Sequence, residues 1–129
     1  MTKEEAKAFT SQWLPAWTGN QPNKLIEFYT EDAFYLDPVV PGGIRGRAAL
    51  LAYFQKLLAK NPNWVWTNIE VMFPTESGFL NKWRAAIPVG GQVIECVGVC
   101  TVELREGRIS RNEVYFDRSR LLSAQSRME

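Results

Sequence analysis

The sequence contains no histidine and only two cysteines. Without histidine the chain cannot form a Ser-His-Asp triad, a Cys-His pair or a histidine-based metal site, so these kinds of catalysis are excluded. Cys96 and Cys100 fall on one predicted strand. At about 3.3 Å per residue their Cα atoms would lie roughly 13 Å apart, beyond the reach of a disulfide bond. We therefore expect two free thiols that pack as small apolar side chains.

The chain also lacks an excess of charge of either sign. Fifteen Lys and Arg residues and fourteen Asp and Glu residues leave a net charge of +1, and no basic cluster occurs. We therefore expect neither nucleic acid nor a membrane as a partner. The first residues lack the apolar core of a signal peptide, and no apolar run approaches the length of a membrane span. We expect one cytoplasmic domain over residues 1–129, since this length is typical of a single domain.

The first helix is predicted from its cap and from its apolar spacing. Thr2 and Glu5 have the spacing of a capping box, and Pro15 should kink the helix or end it early. Trp13 and Trp17 lie on one face of this helix. These tryptophans either pack in the core, or Trp13 lines a pocket and offers its indole N–H as a hydrogen-bond donor.

The rest of the chain predicts two more helices followed by a sheet. Pro22 should begin a second helix that carries Phe28 and Tyr29 inward, and leucine spacing predicts a third helix over 47–59. From Trp64 onward apolar residues alternate with period two, and short turns indicate an antiparallel meander. This order predicts an α+β fold. The predicted strands are 33–37, 64–73, 79–88, 93–105 and 108–118.

The two faces of the predicted strand 93–105 differ in polarity. The face that contains Cys96 and Cys100 is apolar and should pack against the helices. The other face alternates apolar with polar residues, including Val93, Val97 and Glu95. Such a mixed face suits a protein contact, so we expect a homodimer formed through the outer face of the sheet.

Asp37 is the residue on which the functional interpretation depends. It is a lone carboxylate at the end of an apolar strand, directly before Pro38. Burial there would raise its pKa and make it a usable general base. The alternative is that Asp37 accepts turn N–H groups, which would lower its pKa and leave it structural.

Several segments carry a resemblance to a known family. They are FYTEDAFYLDP over 28–38, the Gly46-Arg47 helix start, the Gly107-Arg108-Ile109 turn and EVYFDR over 113–118. With the order of elements, they resemble the nuclear transport factor 2-like superfamily, to which ketosteroid isomerases and SnoaL-like polyketide cyclases belong. The resemblance implies a cone-shaped, cystatin-like α+β barrel, in which three N-terminal helices pack in a curved, mostly antiparallel sheet.

The resemblance also implies roles for single residues. Asp37 matches the base of ketosteroid isomerases, and Tyr29 matches a tyrosine of their polar network. The oxyanion-hole acid of that family falls at Cys100, and its oxyanion-hole tyrosine falls at Trp13 or Gln12. Because losing one such donor costs a factor on the order of 100 to 1000 in rate, efficient steroid isomerisation is not expected.

The same alignment implies the wall of a pocket that is mostly apolar, as small-molecule sites are. Asn81 and Asn112 on that wall either satisfy a neighbouring backbone group or wait for a ligand. Asp117 is a second candidate acid, with a surface ion pair to Arg118 or Arg120 as the alternative. The implied wall residues are Tyr35, Tyr53, Asn81, Trp83, Ala85, Cys96, Gly98, Cys100, Asn112, Val114 and Phe116.

Three functions are consistent with these patterns. The first is binding of a small apolar or aromatic molecule by an isomerase or cyclase, with Asp37 as base on a carbon acid and Trp13, Asn112 or Asn81 as oxyanion donor. The second is a binding or dimerisation module with the same pocket and no catalysis. The third is a structural role, in which the pocket is filled by its own side chains and the exposed sheet face recruits a partner protein. No cofactor or metal is expected in any of the three.

Overall fold

The structure is a computed structural model that describes residues 1–127. Helices occupy most of the first half, and strands form most of the second half. The elements in chain order are α1 (Lys3–Trp13), a 3-10 helix (Leu14–Trp17), α2 (Pro22–Ile26), β1 (Tyr29–Leu36), β2 (Ile44–Arg45), α3 (Arg47–Lys60), β3 (Val65–Met72), β4 (Gly78–Val89), β5 (Gln92–Arg105), β6 (Arg108–Phe116) and α4 (Ser119–Ser126).

Helix α1 begins and ends where local chemistry predicts. The backbone N–H of Glu5 donates to Thr2 Oγ1 over 3.1 Å, and the N–H of Thr2 donates to Glu5 Oε1 over 3.0 Å, so the capping box is confirmed. The α-helix ends at Trp13, and Pro15 lies in the 3-10 helix that follows. Proline has no N–H to continue the α-helical pattern, which explains this early end.

The prediction that Phe28 and Tyr29 continue the second helix is wrong. Helix α2 ends at Ile26, and Tyr29 begins β1. The carbonyl of Phe28 accepts the N–H of Ile109 over 2.7 Å, and Tyr29 pairs with Ile109 of β6. Pairing with a distant strand therefore takes these residues out of the helix, although their apolar spacing suits it.

The six strands form one curved, open sheet in the order β2-β1-β6-β5-β4-β3. Strands β1 and β6 are parallel, and the remaining neighbours are antiparallel. With helices α1, α2 and α3 packed against it, the sheet gives the predicted α+β fold, which is confirmed. Two elements were not predicted: β2 is too short to show a period, and α4 lies beyond the last predicted strand.

The two faces of β5 divide as predicted. Cys96 and Cys100 are buried free thiols on the inner face. On the outer face, Val93 is 59% exposed and Val97 is 50% exposed. The inner face packs against the helical layer, and this layer and the sheet enclose the aromatic core. Within residues 1–127, none of the helices combines the length and the apolar character that crossing a membrane requires.

Candidate ligand site around Asp37

A cavity of about 150 Å³ lies between the helices and the inner face of the sheet. Side chains of α1, the sheet and α4 form its wall, and Asp37 and Arg118 are the charged residues among them. The lining residues are Trp13, Leu14, Trp17, Tyr35, Asp37, Pro38, Val39, Leu57, Asn61, Trp64, Trp66, Asn81, Trp83, Ile87, Cys100, Asn112, Val114, Phe116, Arg118, Leu121, Leu122 and Gln125.

Asp37 is held at the end of β1 by four hydrogen bonds. Its Oδ2 accepts the hydroxyls of Tyr35 and Tyr53, each over 2.7 Å. Its Oδ1 accepts the backbone N–H groups of Val39 over 2.8 Å and Val40 over 3.2 Å. The residue is only 6% exposed, and among residues 1–127 it forms no salt bridge. Asp37 is therefore a buried carboxylate with neutral donors around it.

Both interpretations of Asp37 describe part of this geometry. Oδ1 binds the turn N–H groups, as the structural interpretation predicts, while the side chain also lines the cavity. A carboxylate has about four lone-pair positions, and four donors occupy them here. To take a proton, Asp37 must therefore first lose one of these donors. The tyrosine hydroxyls are the ones free to turn away, because the backbone N–H groups are fixed by the turn.

The two tyrosines remain protonated donors at neutral pH. Burial raises the pKa of Tyr35 well above its usual value, and the neighbouring Asp37 charge raises it further. Burial is also the main cause that raises the pKa of Tyr53, followed by its hydrogen bond to Asp37. A tyrosinate beside this carboxylate would place two like charges together in a low-dielectric site.

The two inward asparagines have partners within the protein. Asn112 Nδ2 donates to the carbonyl of Thr101 over 2.8 Å, and its Oδ1 accepts the Tyr29 hydroxyl over 2.9 Å. Asn81 Oδ1 accepts Asn68 Nδ2 over 2.6 Å, and its own Nδ2 lies 3.7 Å from Cys100 Sγ. Asn112 therefore satisfies a neighbouring backbone group, which is the first of the two roles expected from the sequence. Each amide group still has a second N–H.

Cys100 is the residue to which the predicted resemblance assigns the oxyanion-hole acid of ketosteroid isomerases. Burial raises the pKa of its thiol to about 12. A thiol in this state is neither a nucleophile at neutral pH nor a strong hydrogen-bond donor. The departure from the isomerase pattern at this position therefore removes a strong donor from the cavity wall.

The chain's five tryptophans all line the cavity. The indole N–H of Trp64 donates to the carbonyl of Trp17 over 2.5 Å. The N–H groups of Trp13 and Trp66 are buried and have no acceptor in the described part of the chain. Trp13 thus packs in the core and also lines the cavity, so each of the two alternatives describes part of its surroundings.

Most of the residues predicted for the site lie around this one cavity. Tyr29, Tyr53 and Cys96 do not line it, nor do the implied wall residues Ala85 and Gly98. Tyr29 lies behind Asn112, and Tyr53 reaches Asp37 from outside the lining. The predicted residues that do line the cavity are Asp37, Trp13, Asn112, Tyr35, Asn81, Trp83, Cys100, Val114 and Phe116.

Sequence reasoning missed the side of the cavity that α4 forms. Arg118 precedes this helix, and the helix contributes Leu121, Leu122 and Gln125. The apolar Leu121-Leu122 pair is the local signal for this contact with the cavity, although Leu122 remains 46% exposed. Trp64 and Trp66 were also missed, although they share one face of a strand.

Asp117 does not form the predicted ion pair with Arg118 or Arg120 in residues 1–127. Instead, its Oδ1 accepts the backbone N–H of Ser119 over 2.9 Å and the Ser119 hydroxyl over 2.5 Å. These hydrogen bonds lower the pKa of Asp117, and they belong to the start of α4. Because Asp117 is exposed and lies outside the cavity wall, nothing in its surroundings suits an acid catalyst.

Among residues 1–127, no three His, Cys, Asp or Glu side chains come close enough together to hold a metal ion. The fold and the site thus define an α+β protein with an interior cavity that holds one acidic side chain. The family model of the SnoaL-like domain matches residues 10–112. The chain belongs to the SnoaL-like domain family, as its sequence predicted. No curated protein matches it.

Solved structures with the same fold include two at TM-scores above 0.7. One is a hypothetical protein with a ketosteroid isomerase-like fold from Catenulispora acidiphila, in complex with trimethylamine; it has a TM-score of 0.79 and 18% identity, over 92% of each chain. The other is a protein from Kribbella flavida, with a TM-score of 0.73 and 16% identity, over 95% of each chain. At these identities the likeness shows the fold alone.

Proposed function

We propose that this chain binds a small, mostly apolar molecule in the cavity beside Asp37. The observation that carries the proposal is an interior space of about 150 Å³ where one acidic side chain lies among aromatic walls. Small-molecule sites combine such an apolar lining with a few polar groups that orient the ligand. The chain's own side chains leave this space open, which argues against the self-filled alternative.

The volume limits the size of the ligand. A protein cavity of about 150 Å³ can hold a molecule of the size of benzene. Typical sites for larger organic ligands measure roughly 300 to 1,000 Å³. A ligand with one small ring, or a compact branched molecule, therefore fits better than a steroid. The trimethylamine bound by the Catenulispora acidiphila protein is a compact molecule of this kind.

Filling the cavity tests this proposal. Val114 lines it and is 7% exposed, so Val114→Phe should occupy the space. Val97→Phe on the outer face is the matched control, because Val97 is 50% exposed. Benzene should shift the amide resonances of cavity residues in the wild type and in Val97→Phe, but not in Val114→Phe. The proposal fails if benzene leaves the wild-type spectrum unchanged, or if folded Val114→Phe responds like the wild type.

A second candidate function is proton abstraction by Asp37 from a carbon acid. It is supported by the burial of this carboxylate at the cavity wall without a salt bridge in residues 1–127. In an isomerase of this kind, Asp37 Oδ2 would first lose the hydrogen bond from one tyrosine hydroxyl. It would then take a proton from the carbon next to a carbonyl and return that proton to another carbon. The indole N–H of Trp13, which has no described acceptor, or the second N–H of Asn112 would donate a hydrogen bond to the enolate oxygen.

Exchange of carbon-bound protons tests this chemistry without knowledge of the natural substrate. Cyclopentanone in D₂O is a small ketone, and NMR can follow the loss of its α-protons. A base at Asp37 predicts exchange that the wild type accelerates and Asp37→Asn does not, with similar affinity for the ketone in both. Equal exchange rates for the two proteins would reject Asp37 as a base and leave the binding function standing.

We also propose that the protein acts in the cytoplasm as a homodimer through the outer sheet face. Val93, Val97 and Tyr115 support this surface, since they are 59%, 50% and 48% exposed on neighbouring strands β5 and β6. Sedimentation of the wild type beside Val97→Glu tests the dimer. A monomeric wild type would reject it.

A further inference from the structure

The aromatic side chains at the cavity form a connected set of rings. We name the five cavity tryptophans the tryptophan box: Trp13, Trp17, Trp64, Trp66 and Trp83. Trp17 contacts Trp13 at a centroid distance of 6.2 Å and Trp66 at 6.1 Å. Trp66 in turn contacts Trp64 at 5.1 Å and Trp83 at 4.5 Å. The box is therefore continuous across α1, the 3-10 helix, β3 and β4.

Most neighbouring rings of the box meet at steep angles, while Trp17 and Trp66 cross at 43°. The planes of Trp64 and Trp66 cross at 87°, and those of Trp66 and Trp83 cross at 64°. Phe116 continues the wall, at 75° to Trp83. Rings that cross in this way bound a space from several sides, whereas stacked rings would fill it. A cation within about 6 Å of the face of such a ring is attracted by the ring quadrupole.

The charge at the cavity wall also favours a cation. The four hydrogen-bond donors of Asp37 are two hydroxyls and two backbone N–H groups, which are neutral. They satisfy its lone pairs but do not balance its negative charge. A buried charge without a counter-ion is costly, so a cation in the cavity would be favoured over a neutral molecule.

Arg118 is the basic residue of the lining, and it is half-buried just before α4. It forms no salt bridge with Asp37. Its charge opposes the entry of another cation, so removing it should strengthen cation binding. The unpartnered N–H groups of Trp13 and Trp66 favour the opposite kind of ligand, a neutral acceptor. The two ligand classes can therefore be separated by experiment.

We propose that the cavity binds a small alkylammonium cation, held by the tryptophan box and by the charge of Asp37. This inference rests on the proposed binding function and names its ligand class. Tetramethylammonium is the cationic probe. The neutral probe is tert-butanol, which has the same number of non-hydrogen atoms, a similar branched shape and an oxygen that can accept an indole N–H.

Calorimetric titration of both probes into the wild type gives the first test. Tetramethylammonium should bind at least about tenfold more tightly than tert-butanol, a difference of about 1.4 kcal/mol. Its methyl protons should shift upfield in the NMR spectrum, because aromatic rings surround them. Equal or weaker binding of tetramethylammonium overturns the inference and leaves the binding function intact. If tetramethylammonium, tert-butanol and benzene all fail to bind, the binding function itself is overturned.

Variants then test the two groups that the inference assigns to the cation. Asp37→Asn should weaken tetramethylammonium binding about tenfold or more while leaving tert-butanol binding within about twofold, whereas the exposed Asp32→Asn should match the wild type. Trp66→Leu removes a π face without breaking a described hydrogen bond, so it should also weaken only the cation. Arg118→Gln should strengthen cation binding. Folding of each variant is checked by circular dichroism, and equal loss of both probes in Trp66→Leu would overturn the cation–π assignment.

Discussion

Replacing Gly98 with alanine should destabilise the fold strongly, because the Trp83 ring, the Phe116 Cβ and a backbone carbonyl lie where the methyl group would be. Gly98 pairs with Trp83 of β4 on one side and with Phe116 of β6 on the other. An added Cβ would come within 2.6 Å of Phe116 Cβ, Trp83 Cζ2 and the carbonyl oxygen of Tyr115. None of these atoms is the free end of a flexible side chain. The glycine therefore lets both rings pack over β5 and reach the cavity wall.

The cost follows from the overlap. Inserting a methyl group into a well-packed interior costs about 1–3 kcal/mol, and contact with three rigid groups places Gly98→Ala near the upper end, at about 3 kcal/mol. For a chain of this length, 1 kcal/mol corresponds to a shift of roughly 4 °C in Tm, so a fall of about 12 °C is expected. If the structure relaxes around the added methyl group, a ring must move toward the cavity. Binding of the probe molecules benzene and tetramethylammonium should then weaken as well.

Thermal and urea unfolding, followed by circular dichroism, measure this effect. Gly91→Ala is the matched control, since its Cβ meets no atom within 4 Å and Gly91 does not have positive φ. The control should stay within about 0.5 kcal/mol of the wild type. If Gly98→Ala unfolds at the same temperature and urea concentration as the control, the packing of the two rings over Gly98 is refuted.

Three further predictions follow from the buried polar groups. Tyr53→Phe removes one hydrogen bond to the buried Asp37 carboxylate and should lower the free energy of unfolding by about 1.5–3 kcal/mol. The control is Tyr115→Phe, which should change this free energy little because Tyr115 is exposed. Because burial raises the pKa of Tyr29, Tyr35 and Tyr53, the contribution of these tyrosines to stability should be constant below pH ~10 and should fall above it, where the unfolded chain ionises first. Absorbance at 295 nm should then show these tyrosines ionising only as the protein unfolds; ionisation of all three in a still folded protein would contradict this. The Cys100 thiol, whose pKa is raised to about 12, should react with iodoacetamide at pH 8 only after unfolding, and rapid native labelling at Cys100, located by mass spectrometry, would contradict its burial.

Features that depend on neighbours along the chain could be predicted before the fold was known. The capping box of Thr2 and Glu5 and the end of α1 before Pro15 are local, so their spacing was enough. The strands after Trp64 follow from a period of two and from short turns. The family likeness extended this to the α+β fold and drew attention to Asp37. The capping box, the end of α1 and the strand pattern are predictable because each is specified by residues only a few positions apart.

The surroundings of Asp37 and the closure of the cavity depend instead on long-range packing. The Tyr53 hydroxyl comes to this carboxylate from α3, and the Tyr29 hydroxyl reaches Asn112 across 83 positions of the chain. Pairing with β6 removed Tyr29 from a helix that its own neighbours favoured, and α4 closed the wall without a periodic signal. Such contacts join residues that are far apart in sequence, where spacing carries no information. The partners of a buried group are set by the packing of whole elements, so the chemistry of this cavity became visible only when the sheet and the helices were brought together.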